Sequence, residues 1–237
     1  MRIIFLNSWE GKVGNKYFEF FRETSSKTDF FCLSEITPEL HKNLEGLLVD
    51  YRGYFAHQPE LTNSLSSQTI FVKKNYQVQV YKKELLYEAI KSDAGQEVPG
   101  YVLGMTLNNF SIFNVQGMAY PGHKLDTELR LKQSKQILKF ASQLAKPHII
   151  MGDFNLLPNT KSVSMFEEVG YKNLIKYFKI TTTRNDLADH TKNDKQYFGK
   201  QHFADYCFVS PEVKVLNFEV PNVEVSDHLP LILDFEI

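Results

Sequence analysis

The sequence predicts a layered α/β domain rather than a strict βαβ repeat. Three observations carry this. Short apolar runs break off at a polar or carboxylate residue, amphipathic patterns recur near the start, at 126–144 and at 162–169, and a middle third strings together β-branched and aromatic runs with no helix between them.

Ile3 to Leu6 reads as a short buried strand, and Gly11 and Gly14 break the chain ahead of a helix capped by Asn15, in which Tyr17, Phe20 and Phe21 recur at helical spacing. A second strand runs from Asp29 to Ser34 and ends at Glu35, and Pro38 suits the first turn of a helix reaching Leu47. Between Tyr51 and Gln116, strands are predicted at Thr69 to Val72, Gln77 to Tyr81, Tyr101 to Leu107 and Phe110 to Val115. Asn108-Asn109 marks a hairpin, and consecutive hairpins argue for antiparallel pairing. Leu129, Ile137, Leu138, Phe140, Ala141 and Leu144 form the apolar stripe of a helix within Asp126 to Leu144, ended by Pro147. His148 to Met151 is a strand leading into Gly152, and Ser162 to Val169 a helix stopped by Gly170. Phe203 to Val209, Val213 to Val220 and Leu231 to Phe235 close the chain as strands. With no internal sequence repeat and no linker, residues 1–237 are expected to form one domain, a length that buries a sizeable core.

A formal net charge of −1 excludes the broad field that draws basic proteins nonspecifically onto nucleic acid or anionic membranes, so attraction to phosphate has to be local. Cys32 and Cys207 sit inside apolar strand-like runs and read as reduced core thiols, with a single disulfide between them as the alternative. The first apolar run is too short for a signal-peptide core, and no run approaches the ~18 apolar residues of a membrane span. A cytoplasmic protein is expected, with a monomer favoured.

Four polar elements adjoin apolar strands: Asn7, Glu35, Asp153 with Asn155, and Asp227 with His228. Strand ends from distant parts of a chain can converge on one edge of a sheet, where loops carry function on a rigid base. Hard oxygen donors without a Cys or His cluster suit Mg²⁺, with Mn²⁺ as the alternative, rather than zinc. Taken singly, each element has an ordinary reading: Gly152-Asp153-Phe154-Asn155 as a turn, Ser226-Asp227-His228 as a polar lead into a strand, Glu35 as a partner to the helix start at Pro38.

Together, Leu6-Asn7, Leu33-Ser34-Glu35, Asn114-Val115-Gln116-Gly117, Gly152-Asp153-Phe154-Asn155, Ala204-Asp205-Tyr206-Cys207-Phe208-Val209-Ser210 and Ser226-Asp227-His228-Leu229-Pro230 resemble, in order and over essentially the whole chain, the endonuclease/exonuclease/phosphatase superfamily. The resemblance implies a four-layer α/β sandwich, two mixed β-sheets packed face to face with helices on both outer sides. It also implies a divalent-metal-dependent phosphoesterase acting by in-line attack of an Asp-activated water. By resemblance Glu35 is the principal metal ligand, with Asn7 and Asp227 in or near the metal shell. Asp153 orients or deprotonates the water, Asn155 fixes that water or a phosphate oxygen, and His228, backed by Asp205, donates to the phosphoryl group.

Two positions depart from the family pattern. Gln116 stands where many members carry histidine or, in the apurinic class, tyrosine, and Trp9 where some carry a metal-proximal aspartate. Substrate contacts are expected from Gln116, from the fork of Arg184 in Thr182-Thr183-Arg184, and from Tyr120 in the loop Tyr120-Pro121-Gly122-His123-Lys124. His123 is read there as a solvent-exposed loop histidine or a stand-in for the residue missing at Gln116. The stretch 171–202 interleaves Lys172, Lys176, Lys179, Arg184, Lys192, Lys195 and Lys200 with Tyr177, Phe178, Tyr197 and Phe198, a texture that suits either a nucleic-acid backbone or a solvated loop. The leading substrate is therefore a phosphodiester, DNA or RNA. A small phosphorylated molecule or lipid headgroup is the alternative, and a catalytically silent phosphate-binding module the third reading.

Overall fold

The computed structural model describes residues 1–56, 66–91, 97–188 and 201–237. In chain order the elements are β1 (Arg2–Asn7), α1 (Asn15–Thr24), β2 (Phe30–Ile36), α2 (Pro38–Leu47), β3 (Tyr51–Phe55), β4 (Ser67–Lys73), β5 (Val78–Lys91), β6 (Glu97–Leu107) and β7 (Phe110–Gln116). There follow α3 (Glu128–Ala141), β8 (His148–Asp153), α4 (Lys161–Glu168), β9 (Lys172–Asn173), α5 (Leu174–Tyr177), β10 (Asp205–Val209), β11 (Lys214–Glu219) and β12 (Leu231–Glu236). They build two six-stranded sheets, ordered β11-β12-β1-β2-β4-β3 and β5-β6-β7-β8-β10-β9. Each sheet has one parallel pair, β1 with β2 and β7 with β8, and every other pairing of neighbours is antiparallel. The two parallel joins are the ones that α1 and α3 span, as a parallel crossover requires.

Side-chain alternation explains why the central strands read as unbroken apolar runs. Along β1, Ile3 and Phe5 enter the core between the sheets, while Ile4 and Leu6 face the helices outside; along β2, Phe30 and Cys32 point in, and Phe31 and Leu33 out. Both faces are buried, so neither can be polar. On the outer side of the first sheet, Tyr17, Phe20 and Phe21 of α1 and Leu40 and Leu44 of α2 cover Phe31, Leu33 and Phe71. On the second, Phe140 of α3 meets Phe113 edge-on at 6.1 Å and Phe166 of α4 stacks on Phe208 at 4.4 Å. The result is the four-layer sandwich: helices, sheet, sheet, helices. Each fully buried side chain of this kind stabilises the fold by roughly 1.5–3 kcal/mol before entropy is charged against it.

Several expectations are corrected. Asn15 is the first helical residue of α1 and not its cap; Gly14, at φ +75°, takes the cap position. The middle third pairs antiparallel as expected but is divided between the sheets, β3 and β4 lying beside β2 in the first and β5, β6 and β7 in the second. β5 runs to Lys91, well past Tyr81. The half-exposed β3 and the short β9 and α5 carry too little apolar pattern to read from sequence. Cys32 and Cys207 are buried free thiols. Among the described residues, no helix is long and apolar enough to cross a membrane.

His148 opens β8 with both ring nitrogens engaged: Nδ1 lies 2.7 Å from the Tyr171 hydroxyl and Nε2 3.1 Å from the Leu144 carbonyl. Burial lowers its pKa from the ordinary 6.5. A histidine with a depressed folded-state pKa takes up its proton first in the unfolded chain, so its contribution to stability is present above 6.5 and is lost as the pH falls toward the folded value. Glutamine can keep both hydrogen bonds and does not titrate. Between about pH 7.5 and 5.5 the melting temperature of the natural protein should therefore fall relative to His148→Gln; parallel melting curves across that range would contradict this.

Candidate active site

Strand register alone gathers the polar strand ends onto one edge of the sandwich. Asn7, the last residue of β1, pairs beside Ser34, the neighbour of Glu35 on parallel β2. Gln116, the last of β7, pairs beside Asp153, the last of β8, and Asp205, the first of antiparallel β10, lies opposite Asp153. Phe5 pairs with Leu231, so Asp227 and His228, which precede β12, lie beyond the same end of β1. Five strands from two sheets thus meet residues carried by one incoming loop.

Two glycines permit the approach. A Cβ on Gly152 would lie 2.3 Å from the Val115 carbonyl oxygen, and one on Gly117 2.4 Å from that of Phe154; both obstacles are backbone. Glu35 needs a different device. The β2–β4 register slips between Leu33 and Ile36, and Glu35 takes φ +52°. Such a bulge re-aims a side chain that regular pleating would send elsewhere. Asn114, reaching across from β7, donates its amide to the carbonyls of Leu33 (2.9 Å) and Thr69 (3.2 Å), the last ladder pair before the slip. Trp9, Lys124 and Asn155 also have positive φ, at 45°, 54° and 52°.

The side chains then interlock. The Asn7 amide donates to Glu35 Oε1 (2.9 Å) and to Asp153 Oδ2 (3.0 Å), while its Oδ1 accepts from the Trp9 amide at 3.0 Å. Asp153 Oδ1 accepts from the Asn155 backbone at 2.9 Å, and the Asn155 side chain donates to the Gly117 carbonyl at 3.2 Å. His228 Nδ1 lies 2.8 and 2.9 Å from the two oxygens of Asp205, which fixes the proton on that nitrogen when the carboxylate is ionised. Nε2 then faces the gap between Asp153 Oδ2 and Asp227 Oδ2, 4.0 Å from each. Arg184 donates to Asp227 Oδ2 at 2.7 Å, and its backbone bridges that of His228.

The electrostatics follow from burial. Asn7, Asp153, Asn155, Asp205, Asp227, His228 and Gln116 are all buried. Desolvation pushes the Glu35 carboxyl up to about 7, against the Asn7 hydrogen bond and with help from the charges of Asp227 and Asp153. Burial likewise raises Asp205, opposed by His228. Asp227 goes the other way: burial would raise it, but His228 and Arg184 together hold it below the usual carboxylate range. For His228, burial lowers proton affinity and Asp205 and Asp227 more than reverse this.

A cation fits this donor set. Four carboxylates crowd one buried edge, and one of them, Glu35, is driven toward its neutral form by its surroundings, a condition that a divalent ion relieves. Asp153, Asp205 and His228 also present ligand atoms within 4.8 Å of one another. Both Asp205 oxygens are turned to Nδ1, however, so within that trio only Asp205 and His228 are hydrogen-bonded, and Asp153 stands 4.0 Å from Nε2.

Among the sequence-derived substrate contacts, Gln116 lies buried with its Oε1 unpartnered, Arg184 is tied to Asp227, and Tyr120 stands at the surface, 37% exposed. His123 is half-exposed and accepts from the Leu125 amide. In the basic stretch, Lys176 pairs with Glu167 and Lys172 lies over the Tyr177 ring; Lys192, Lys195, Lys200, Tyr197 and Phe198 lie outside the described residues. Sequence reasoning missed three contributors. Thr183 accepts from the Ala204 and Asp205 amides and so sets the start of β10. Buried Arg130 holds the loop after β7 through the carbonyls of Met118, Pro121 and Leu125. Lys124, read only as part of a mouth loop, is buried.

A profile of the endonuclease/exonuclease/phosphatase family matches residues 16–228, and the chain belongs to that family. Its members are phosphoester hydrolases that generally use divalent metals. A mannosyl-6-phosphatase from Bacteroides thetaiotaomicron superposes with a TM-score of 0.76 at 15% identity over 100% of both chains. The human Nocturnin catalytic domain, with bound sulfate, gives 0.72 at 20% over 100% of this chain and 93% of its own. The D. rerio TDP2 structure with a single-strand DNA product gives 0.73 at 14% over 100% and 99%. At these identities the likeness is one of fold. A search of curated protein sequences finds no significant match.

Proposed function

We propose that this chain hydrolyses phosphate esters with a bound Mg²⁺ or Mn²⁺, by in-line attack of a water that Asp153 orients and deprotonates. The observation that carries the reading is the placement of His228 Nε2, backed by Asp205 and held 4.0 Å from both Asp153 and Asp227. That distance is too wide for a direct hydrogen bond, so neither carboxylate takes up Nε2, which supports its donating to a substrate oxygen.

The cation would be held by Glu35, with Asn7 and Asp227 beside it, and would stabilise negative charge on the phosphoryl oxygens. Asn7 keeps Glu35 and Asp153 in fixed relation, and the Asn155 backbone holds Asp153 from its other oxygen. As the water oxygen bonds to phosphorus its proton passes to Asp153. The ester P–O bond breaks on the opposite side, and the departing oxygen takes a proton from solvent to leave as an alcohol. His228 donates from Nε2 to a non-bridging oxygen, where charge develops.

On the substrate side, Lys176, Lys172 and Arg184 are engaged within the protein, which weakens the support for a DNA or RNA backbone and favours a small or terminal phosphate. Buried free thiols support a reducing, cytoplasmic setting, and we read residues 1–237 as one domain, active as a monomer. Plasmid DNA, a single-stranded oligonucleotide, bis-p-nitrophenyl phosphate and inositol phosphates, each with Mg²⁺, Mn²⁺ or EDTA, test the proposal. Turnover of at least one ester that EDTA abolishes is expected. Binding without turnover across the panel would replace hydrolysis with the silent phosphate-binding reading.

A further inference from the structure

Lys124 is a residue beside this edge that the hydrolytic scheme leaves unused. It is 4% exposed, and its Nζ has no hydrogen-bond partner among the described residues. It lies within electrostatic reach of Asp153, Asp205 and Asp227 but forms no ion pair with them, and Arg184 is near enough to oppose its charge. The positive φ of Lys124 and its carbonyl, which accepts from the Leu157 amide at 2.9 Å, pin the backbone that aims it. Arg130 fastens the same loop through the Pro121 and Leu125 carbonyls, on either side of Lys124.

A buried ammonium without a partner destabilises a fold, and the charge of a second cation nearby destabilises it further. The arrangement makes sense when an anion binds beside Lys124. Burial and Arg184 bring the Lys124 ammonium down to about 8, which leaves it mostly cationic at neutral pH. The number of oxygens decides which anion. A phosphodiester presents two non-bridging oxygens sharing one negative charge, which the cation and His228 suffice to meet. A phosphomonoester presents three and carries a second charge. Arg184 has one arm committed to Asp227 and keeps an unpartnered Nε, whereas Lys124 has its whole ammonium uncommitted, which fits it as a donor to the third oxygen.

We propose that Lys124 binds the third oxygen of a terminal phosphate and so makes the site selective for phosphomonoesters over phosphodiesters. This rests on the proposed phosphoester site and names its substrate class. The third oxygen belongs equally to free phosphate, the product, which Lys124 therefore binds as well.

The test compares the natural protein with Lys124→Met and Lys124→Arg, all with Mg²⁺, on p-nitrophenyl phosphate, on bis-p-nitrophenyl phosphate, and in calorimetric titration with inorganic phosphate. Lys124→Met should lose about 10²-fold in kcat/KM on the monoester, the loss typical of one donor to developing charge, and less than about fivefold on the diester. Its phosphate affinity should weaken about tenfold, and its melting temperature should hold or rise, because a buried unpaired charge is gone. Lys124→Arg, which keeps the charge, should retain the monoester preference. Equal losses on the two esters, or unweakened phosphate binding, would overturn the proposal, as would a melting temperature for Lys124→Met lowered by many degrees. If the natural protein cleaves neither ester, hydrolysis falls while the phosphate titration still decides the role of Lys124, and absence of phosphate binding removes it.

Discussion

Asp153→Asn should lower kcat by about 10²- to 10⁴-fold, the range typical of losing a positioned general base, with little change in melting temperature. Asparagine has nearly the shape of aspartate and can still accept the Asn155 amide hydrogen on one oxygen. What it loses is the capacity to take a proton from water and to accept from the Asn7 amide, so Asn7 would face a second amide donor. Buried like charges are also reduced, since Asp153 contributes to the upward push on Glu35. The substitution thus separates chemistry from folding. Steady-state kinetics and thermal melting on one preparation suffice, and a kcat reduced less than tenfold would remove Asp153 from the role of base.

The second large effect concerns the carboxylate behind the imidazole. Asp205→Asn keeps an acceptor for the Nδ1 proton and discards the negative charge; Asp205→Ala discards both and leaves a buried donor unsatisfied. Both should reduce kcat by about 10²-fold or more, with the alanine variant the worse. Because Asp205 is the largest contributor raising the proton affinity of His228 against burial, its loss also moves the alkaline limb of the activity profile to lower pH. The sign follows from the charge: without the anion the imidazolium releases its proton earlier. Wild-type turnover and an unmoved alkaline limb in Asp205→Asn would mean that His228 does not act as a proton-bearing donor.

Most of the candidate active edge was legible because strand ends carry a local signature. Asp153, Asn155, Asp205, Asp227 and His228 each adjoin an apolar run, and a carboxylate in that position is poor core material. Glu35 could be nominated the same way, but its aim could not. Ser34-Glu35-Ile36 contains no glycine to announce a positive φ, and the bulge depends on Asn114, eighty residues away and on the other sheet. The assignment of β3 and β4 to one sheet and β5 to the other was hidden for a similar reason: a hairpin pattern records that strands pair and not which sheet they join. Lys124 was the least legible. A lysine in a Pro-Gly loop looks solvated, and only the fold shows that its chain runs inward.

The strand order has a further meaning. The succession β1-α1-β2-α2-β3-β4 in the first sheet is matched by β7-α3-β8-α4-β9-β10 in the second, and each hairpin that follows, β5-β6 and β11-β12, crosses to the opposite sheet beside the other set's first strand. The molecule is an approximate two-fold object with exchanged arms, although its sequence retains no visible repeat. At the active edge the halves correspond as well, each closing its first strand with a carboxamide, Asn7 or Gln116, beside a carboxylate on its second, Glu35 or Asp153. The correspondence is offset by one residue, Asp153 pairing with Gln116 while Ser34, not Glu35, pairs with Asn7, and in the proposed mechanism one carboxylate holds a cation and the other activates water. The approximate symmetry thus brings one carboxylate from each half to the same edge, in two different settings.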